Sequence, residues 1–141
     1  YGASPFNTPS DQLKPVMKLS APIVSMKTLQ AGESVGYGAT WIANKDTTIA
    51  IVGIGYGDGY PRHAKNGTPV LINGVLCSLV GRVSMDLICV DIGTTKANVG
   101  DNAILWGDDK LRVETVATYS GTISYELLTG VSSRVEFVQH A

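Results

Sequence analysis

Apolar and polar residues alternate roughly along "VMKLSAPIVSMKTL", Val16 to Leu29, which predicts a β-strand with Pro22 at an edge or a bulge. "QAGE" then makes a turn, and "IAIVGIGYGDGY" gives a buried strand over Thr48 to Gly55 that dissolves into a glycine-rich loop. In "TPVLINGVLCSLVGRV" the pair Asn73-Gly74 separates two apolar runs, the favoured composition for a type I′ hairpin turn. "DLICVDIG" and "DNAILWG" are two further strands. The pattern therefore predicts seven or so short strands with turn residues between them, a mainly β chain folded as a compact β-barrel or sandwich. The helical period surfaces only near the C-terminus. "RVETVATYSG" and "SYELLTGV" predict one or two short helices, with Gly121 ending the first and Ser124 capping the second. After them "SRVEFVQ" alternates again, which predicts a closing strand.

At 141 residues the chain is long enough for one domain with a real core, and 44% hydrophobic against 16% charged residues fits an ordinary globular protein. The first 15 residues, rich in proline and turn formers, read as a linker or extended arm ahead of a domain over 16–141. A formal net charge of −1 carries no basic footprint for nucleic acid. Apolar runs such as "VLCSLV" are strand-length, too short for a membrane helix. No basic segment followed by an apolar run opens the chain, and a cytoplasmic location is expected. Cys77 and Cys89 lie in apolar runs and read as reduced core residues.

Candidate chemistry is sparse. His63 and His140 fall in a loop and at the C-terminus, where they read as surface residues, and no Cys/His spacing suits zinc. No lysine lies in an apolar run that would lower its pKa for imine chemistry. "GYGDGY" lacks the frame of a dinucleotide-binding loop. Three stretches nevertheless stand out: "VGYGATW" around Tyr37, "GYGDGYPR" with Tyr56 and Arg62, and "GRVSMD" with Arg82, Met85 and Asp86. Each alone has an ordinary explanation, a glycine turn or a surface ion pair. Together they offer phenols, arginines and a carboxylate on segments whose glycines admit another backbone. These are groups for hydrogen bonding and proton transfer, without a cofactor anchor.

With "GTPVLING", "ICVDIG" and "ILWG" in the same order, these motifs resemble the C-terminal domain of the alanine racemases over essentially the whole chain. The resemblance implies a pyridoxal-phosphate enzyme that interconverts L- and D-alanine, supplying D-alanine for peptidoglycan precursors. It implies an N-terminal α/β barrel carrying the cofactor on a lysine, and a head-to-tail homodimer in which the β domain completes the partner's site. The cofactor serves as the electron sink that makes the Cα proton acidic. Racemisation needs a base on each face of Cα, and Tyr37 matches the tyrosine that serves the L face.

A free phenol has a pKa near 10, so such a base needs nearby positive charge, and Arg82 matches a family arginine placed to contribute it. Met85 matches the position whose backbone contacts the substrate carboxylate. Tyr56 and Arg62 match the substrate entrance, and Asp86 is expected to hold nearby structure. Ser133 falls where some members carry a tyrosine that bonds the cofactor phosphate; its hydroxyl is shorter, so the cofactor-binding residues of this chain stay open. Tyr125 is expected to serve packing. Two other readings stay in view: a stand-alone β-barrel interaction module without catalysis, and a racemase of another small amino acid. A related decarboxylase would use a cysteine as proton donor, and neither Cys77 nor Cys89 lies in a suitable loop.

Overall fold

The structure is a computed structural model that describes residues 2–5, 13–36, 38 and 40–140. The described residues form eight strands: β1 (Leu19–Leu29), β2 (Ser34–Val35), β3 (Trp41–Ile42), β4 (Thr47–Val52), β5 (Pro69–Ile72), β6 (Val75–Val80), β7 (Ile88–Asp91) and β8 (Asn102–Trp106). Two short helices follow, α1 (Val113–Tyr119) and α2 (Ser124–Thr129).

Six strands close into a barrel in the order β1-β4-β7-β6-β5-β8, every neighbouring pair antiparallel. Closure resolves the barrel-or-sandwich alternative, and it removes the sheet edges. It also settles Pro22. With no edge to occupy, the proline sits where the β1 register slips, between Leu19 and Ser20 against β8 and between Ile23 and Ser25 against β4. The Pro22 carbonyl accepts the Gly53 N–H (3.0 Å), a role that proline keeps although it has no N–H to donate. Asn73 (φ 50°) and Gly74 (φ 79°) both occupy the left-handed region, as a type I′ turn demands.

The inward faces build one core around Trp106, Leu105, Ile72, Leu79 and Val52, all fully buried. Burying each large apolar side chain contributes about 1.5–3 kcal/mol before the entropy of ordering it is subtracted. A second, smaller core lies on the outer side of the barrel, where Leu29, Ile49 and Val80 pack against Val35 and Ala43 of the β2–β3 hairpin. This satellite explains why β4 is buried on both faces. It also pins the β2–β3 hairpin to the barrel.

Four details differ from the sequence pattern. The tail over 133–139 forms no strand: Val135 N–H bonds Ser132 O (3.2 Å) in a turn, and the segment crosses loops instead of joining a ladder. Ser124 does not cap α2, whose cap is Ile123; Ser124 is the first helical residue and its buried hydroxyl donates to Ser4 O (2.8 Å). Ser4 N–H in turn donates to the buried Glu114 carboxylate (2.7 Å), so residues 3 and 4 dock against both helices. Tyr125, on α2, is 48% exposed and buries only about half of its surface. Gly121 (φ 69°) follows α1 as expected.

Candidate functional site

Three loops converge on a cleft of about 1040 Å³. The first is the tip of the β2–β3 hairpin, the second runs from β4 to β5, and the third links β6 to β7. Thr40, Tyr56, Arg62, Arg82 and Met85 all line the cleft, so four residues of the sequence analysis are brought together. Tyr37 lies outside the described residues. Its neighbours are placed: a Cβ on Gly36 would stand 3.2 Å from Arg82 N, and one on Gly38 would stand 3.9 Å from Arg82 Nη2. Both glycines have positive φ, 81° and 72°. The hairpin tip thus lies against the start of "GRVSMD", with the Arg82 guanidinium beside it.

The glycine alternation in "GYGDGY" has a separate cause at each position. A Cβ on Gly55 would lie 2.2 Å from Ser84 O, one on Gly57 2.2 Å from Arg134 Nη1, and one on Gly59 2.4 Å from Gly130 O. Three neighbours press on one loop, and glycine is the residue that admits them. Contact with "GRVSMD" is made backbone to backbone, Tyr56 N–H donating to Ser84 O (3.0 Å) and Gly57 N–H to Met85 O (2.9 Å). The Met85 carbonyl is therefore occupied, whereas its own N–H has no acceptor among the described residues.

Tyr56 is 44% exposed, with the Arg62 guanidinium 5.6 Å from its ring centroid, within cation–π range. Arg62, His63, Lys65 and Arg82 all line the cleft, and among the described residues no carboxylate does. Such a lining favours an anionic group over a cation. Arg82 forms no ion pair among the described residues, leaving its charge to the cleft. Asp86 accepts a hydrogen bond from Arg134 Nη2 at 2.5 Å. Ser133 is exposed and does not line the cleft.

Sequence reasoning missed two residues. Asn66 spans two loops, its Oδ1 accepting Gly81 N–H (2.8 Å) and its Nδ2 donating to Thr40 O (3.2 Å). Arg134 reaches both Asp86 and Asp58 (3.4 Å). Neither stands in one of the three conspicuous motifs, and their partners are between 15 and 76 positions distant in the chain. The only local signal was the lone cation of "SSRVEF".

Cys77 and Cys89 are free, and burial pushes both thiols up from their ordinary range. Among the described residues no group of His, Cys, Asp and Glu could hold a metal ion. No helix among them is long and apolar enough to cross a membrane.

Residues 16–139 match the family described as alanine racemase, C-terminal domain. The chain belongs to that family. It is 74% identical over 138 residues to an alanine racemase of Vesicomyosocius okutanii, covering 98% of this chain and 39% of that protein. With an alanine racemase of Vibrio vulnificus it shares 55% over 140 residues, covering 96% of this chain and 39% of the relative. Among solved structures, alanine racemase from Acinetobacter baumannii superposes with a TM-score of 0.90 at 50% identity, over 95% of this chain and 38% of that one. Biosynthetic alanine racemase from Pseudomonas aeruginosa gives 0.88 at 48% identity, over 96% and 38%. The chain thus spans about two-fifths of the length of these alanine racemases.

Proposed function

We propose that this chain is the C-terminal domain of an alanine racemase, which interconverts L- and D-alanine by moving the Cα proton between two bases. Tyr37 is the base of the L face, and residues 1–15 link the domain to a preceding α/β barrel. The observation that carries the reading is the cleft itself. The three family motifs, far apart in sequence, line one cavity whose charged side chains are all basic, with the Met85 N–H left without an acceptor. A small amino acid brings a carboxylate, which an unpaired N–H and nearby cations bind.

The described residues of this chain do not fit pyridoxal phosphate as its holders. All seven described lysines are exposed, so none is desolvated for imine formation, and Ser133 stands outside the cleft. We assign the cofactor to the barrel. The β domain's share is then to place and activate Tyr37 and to bound the substrate. Arg82, beside Gly38, stabilises the phenolate over the phenol and so makes Tyr37 a usable base near neutral pH. Met85 N–H holds the carboxylate; Tyr56, steadied by Arg62, narrows the approach so that a methyl side chain fits best. Because the cleft is open at this chain's surface, we infer a head-to-tail homodimer in which it closes against the partner's barrel, in the cytoplasm.

Deuterium exchange at Cα tests this in the full-length protein, barrel and cofactor included, with L- and D-alanine followed separately in D₂O. Tyr37→Phe is expected to suppress exchange from L-alanine by about 10²-fold or more, the scale of one positioned acid–base group, and from D-alanine far less. Equal exchange of both enantiomers at the wild-type rate would remove Tyr37 from the mechanism. Absence of exchange in the wild type would leave the interaction-module reading.

A further inference from the structure

We propose that Arg134 is a positioning residue that sets the width of the cleft mouth, and with it the size of the side chain admitted. The inference rests on the racemase reading. Its starting point is the tail, which the alternating pattern suggested as a strand and which instead runs across the two loops bearing Tyr56 and Met85. Arg134 Nη2 donates to Asp86 Oδ1 at 2.5 Å, while its Nε lies 3.4 Å from Asp58 Oδ1. Asp86 follows Met85 directly, and Asp58 belongs to the 3₁₀ turn Tyr56–Asp58. One guanidinium therefore ties together the two loops that face substrate.

The segment is anchored on one side more firmly than a single ion pair could anchor it. Ser132 Oγ donates to Gly57 O (2.9 Å) and Ser132 N–H to Asp58 O (2.9 Å). The other Asp58 oxygen accepts Gly55 N–H (3.0 Å). Close packing of the strap accounts for the glycine at 59, where φ is 106° and a Cβ would stand 2.4 Å from Gly130 O, while a Cβ at 57 would press on the movable tip of Arg134. With Ser132 fixed to the Tyr56 loop, Arg134 is the one contact among these that reaches the Met85 loop. It adds to the two direct backbone bonds between the loops, Tyr56 N–H to Ser84 O and Gly57 N–H to Met85 O, a hold on the Met85 loop beyond them, at Asp86.

Arg134 and Asp86 are well exposed, at 44% and 60% of the side chain, so the pair adds little to global stability. Its removal should loosen the geometry and leave the fold intact. Lysine offers a point charge without the planar fork, and can pair with one carboxylate at a time.

The test uses the full-length enzyme with its barrel and cofactor, comparing wild type, Arg134→Met and Arg134→Lys. For Arg134→Met, KM for L-alanine is expected to rise about 10-fold, and kcat to fall by less than KM rises. Racemisation of L-serine and L-2-aminobutyrate relative to L-alanine should increase by about 5- to 10-fold as the mouth widens. Arg134→Lys should lie between, and all three should melt within a few degrees of one another. If Arg134→Met retains the wild-type KM and selectivity, the proposal is wrong. It is equally wrong if the variant loses Tm and activity together and Arg134→Lys restores both without an intermediate selectivity, since that is a purely structural role. A wild-type enzyme without racemase activity would overturn the functional reading itself, and this inference with it.

Discussion

The motif "GYGDGYPR" holds two tyrosines that the fold treats in opposite ways. Tyr56 stands 44% exposed at the cleft, whereas Tyr60 is 1% exposed, its ring stacked on Trp106 with centroids 6.3 Å apart and planes 13° apart. The Tyr60 hydroxyl has no partner among the described residues, and burial alone pushes its pKa up. An unpaired buried hydroxyl is a cost, so Tyr60→Phe should be neutral or stabilise by about 1 kcal/mol at pH 7. The pH dependence has a definite sign. The folded pKa is raised above the unfolded value near 10, so the native state favours the protonated phenol. The associated stability is fully present below pH 10 and is lost as the pH climbs above it, by at most about 1.4 kcal/mol per unit. Urea denaturation at pH 7 and between pH 10 and 11.5 checks this: the wild type should lose stability more steeply than Tyr60→Phe. Parallel losses would mean that the Tyr60 hydroxyl is solvated after all.

Among the elements, the β4–β5 loop shows most clearly how backbone packing makes the site. At Gly55, φ is −153°, a value any residue adopts, so it is the backbone of the facing loop, Ser84 O at 2.2 Å and Met85 C and O at 2.5 Å, that forbids a side chain. Gly93 is the reverse case, with φ 57° and open space around it. Gly55→Ala should therefore cost about 1–3 kcal/mol by overpacking and also lower racemase turnover, because it pushes the Tyr56 and Met85 loops apart. Gly93→Ala should cost about 1 kcal/mol through backbone strain and leave turnover alone. Chemical denaturation beside a turnover assay separates them; equal effects on turnover would show that the loop contact is not part of the site. The same contrast explains what the sequence could disclose. The type I′ hairpin, the buried strands and α1 with its terminal glycine were legible because period and turn chemistry are local. The tail was not: "SRVEF" alternates as a strand does, but a strand also needs an unpaired neighbour, and the barrel had already closed on itself. Ser132 and Arg134 bond to loops some 75 positions away, and no local pattern records that. At the site, Tyr56, Arg62, Arg82 and Met85 were found through their motifs, while Asn66 and Arg134, which hold the loops, came only from the fold.

At the scale of the whole molecule, the open cleft argues that the β domain works on a partner. Its charged lining residues stand at the surface of a single chain, above a barrel core built from this chain's own buried residues. A domain of this kind can serve the barrel of its own chain or that of a second copy, and the two arrangements differ in a measurable way. Consider the full-length Tyr37→Phe protein mixed with a variant lacking the barrel's cofactor lysine, each inactive alone. If the domains exchange head to tail, a mixed dimer holds one site with both groups intact and one with neither. Random pairing makes half the dimers mixed, so the mixture should recover about a quarter of wild-type activity. If each domain serves its own chain, every site lacks one base and no activity returns. The readout is racemisation after co-refolding or co-expression, with size-exclusion chromatography to confirm that mixed dimers form. Recovery would also suit the way Leu29, Ile49 and Val80 hold the β2–β3 hairpin outside the barrel: a group meant for a neighbour has to be presented from the surface and held rigid from behind.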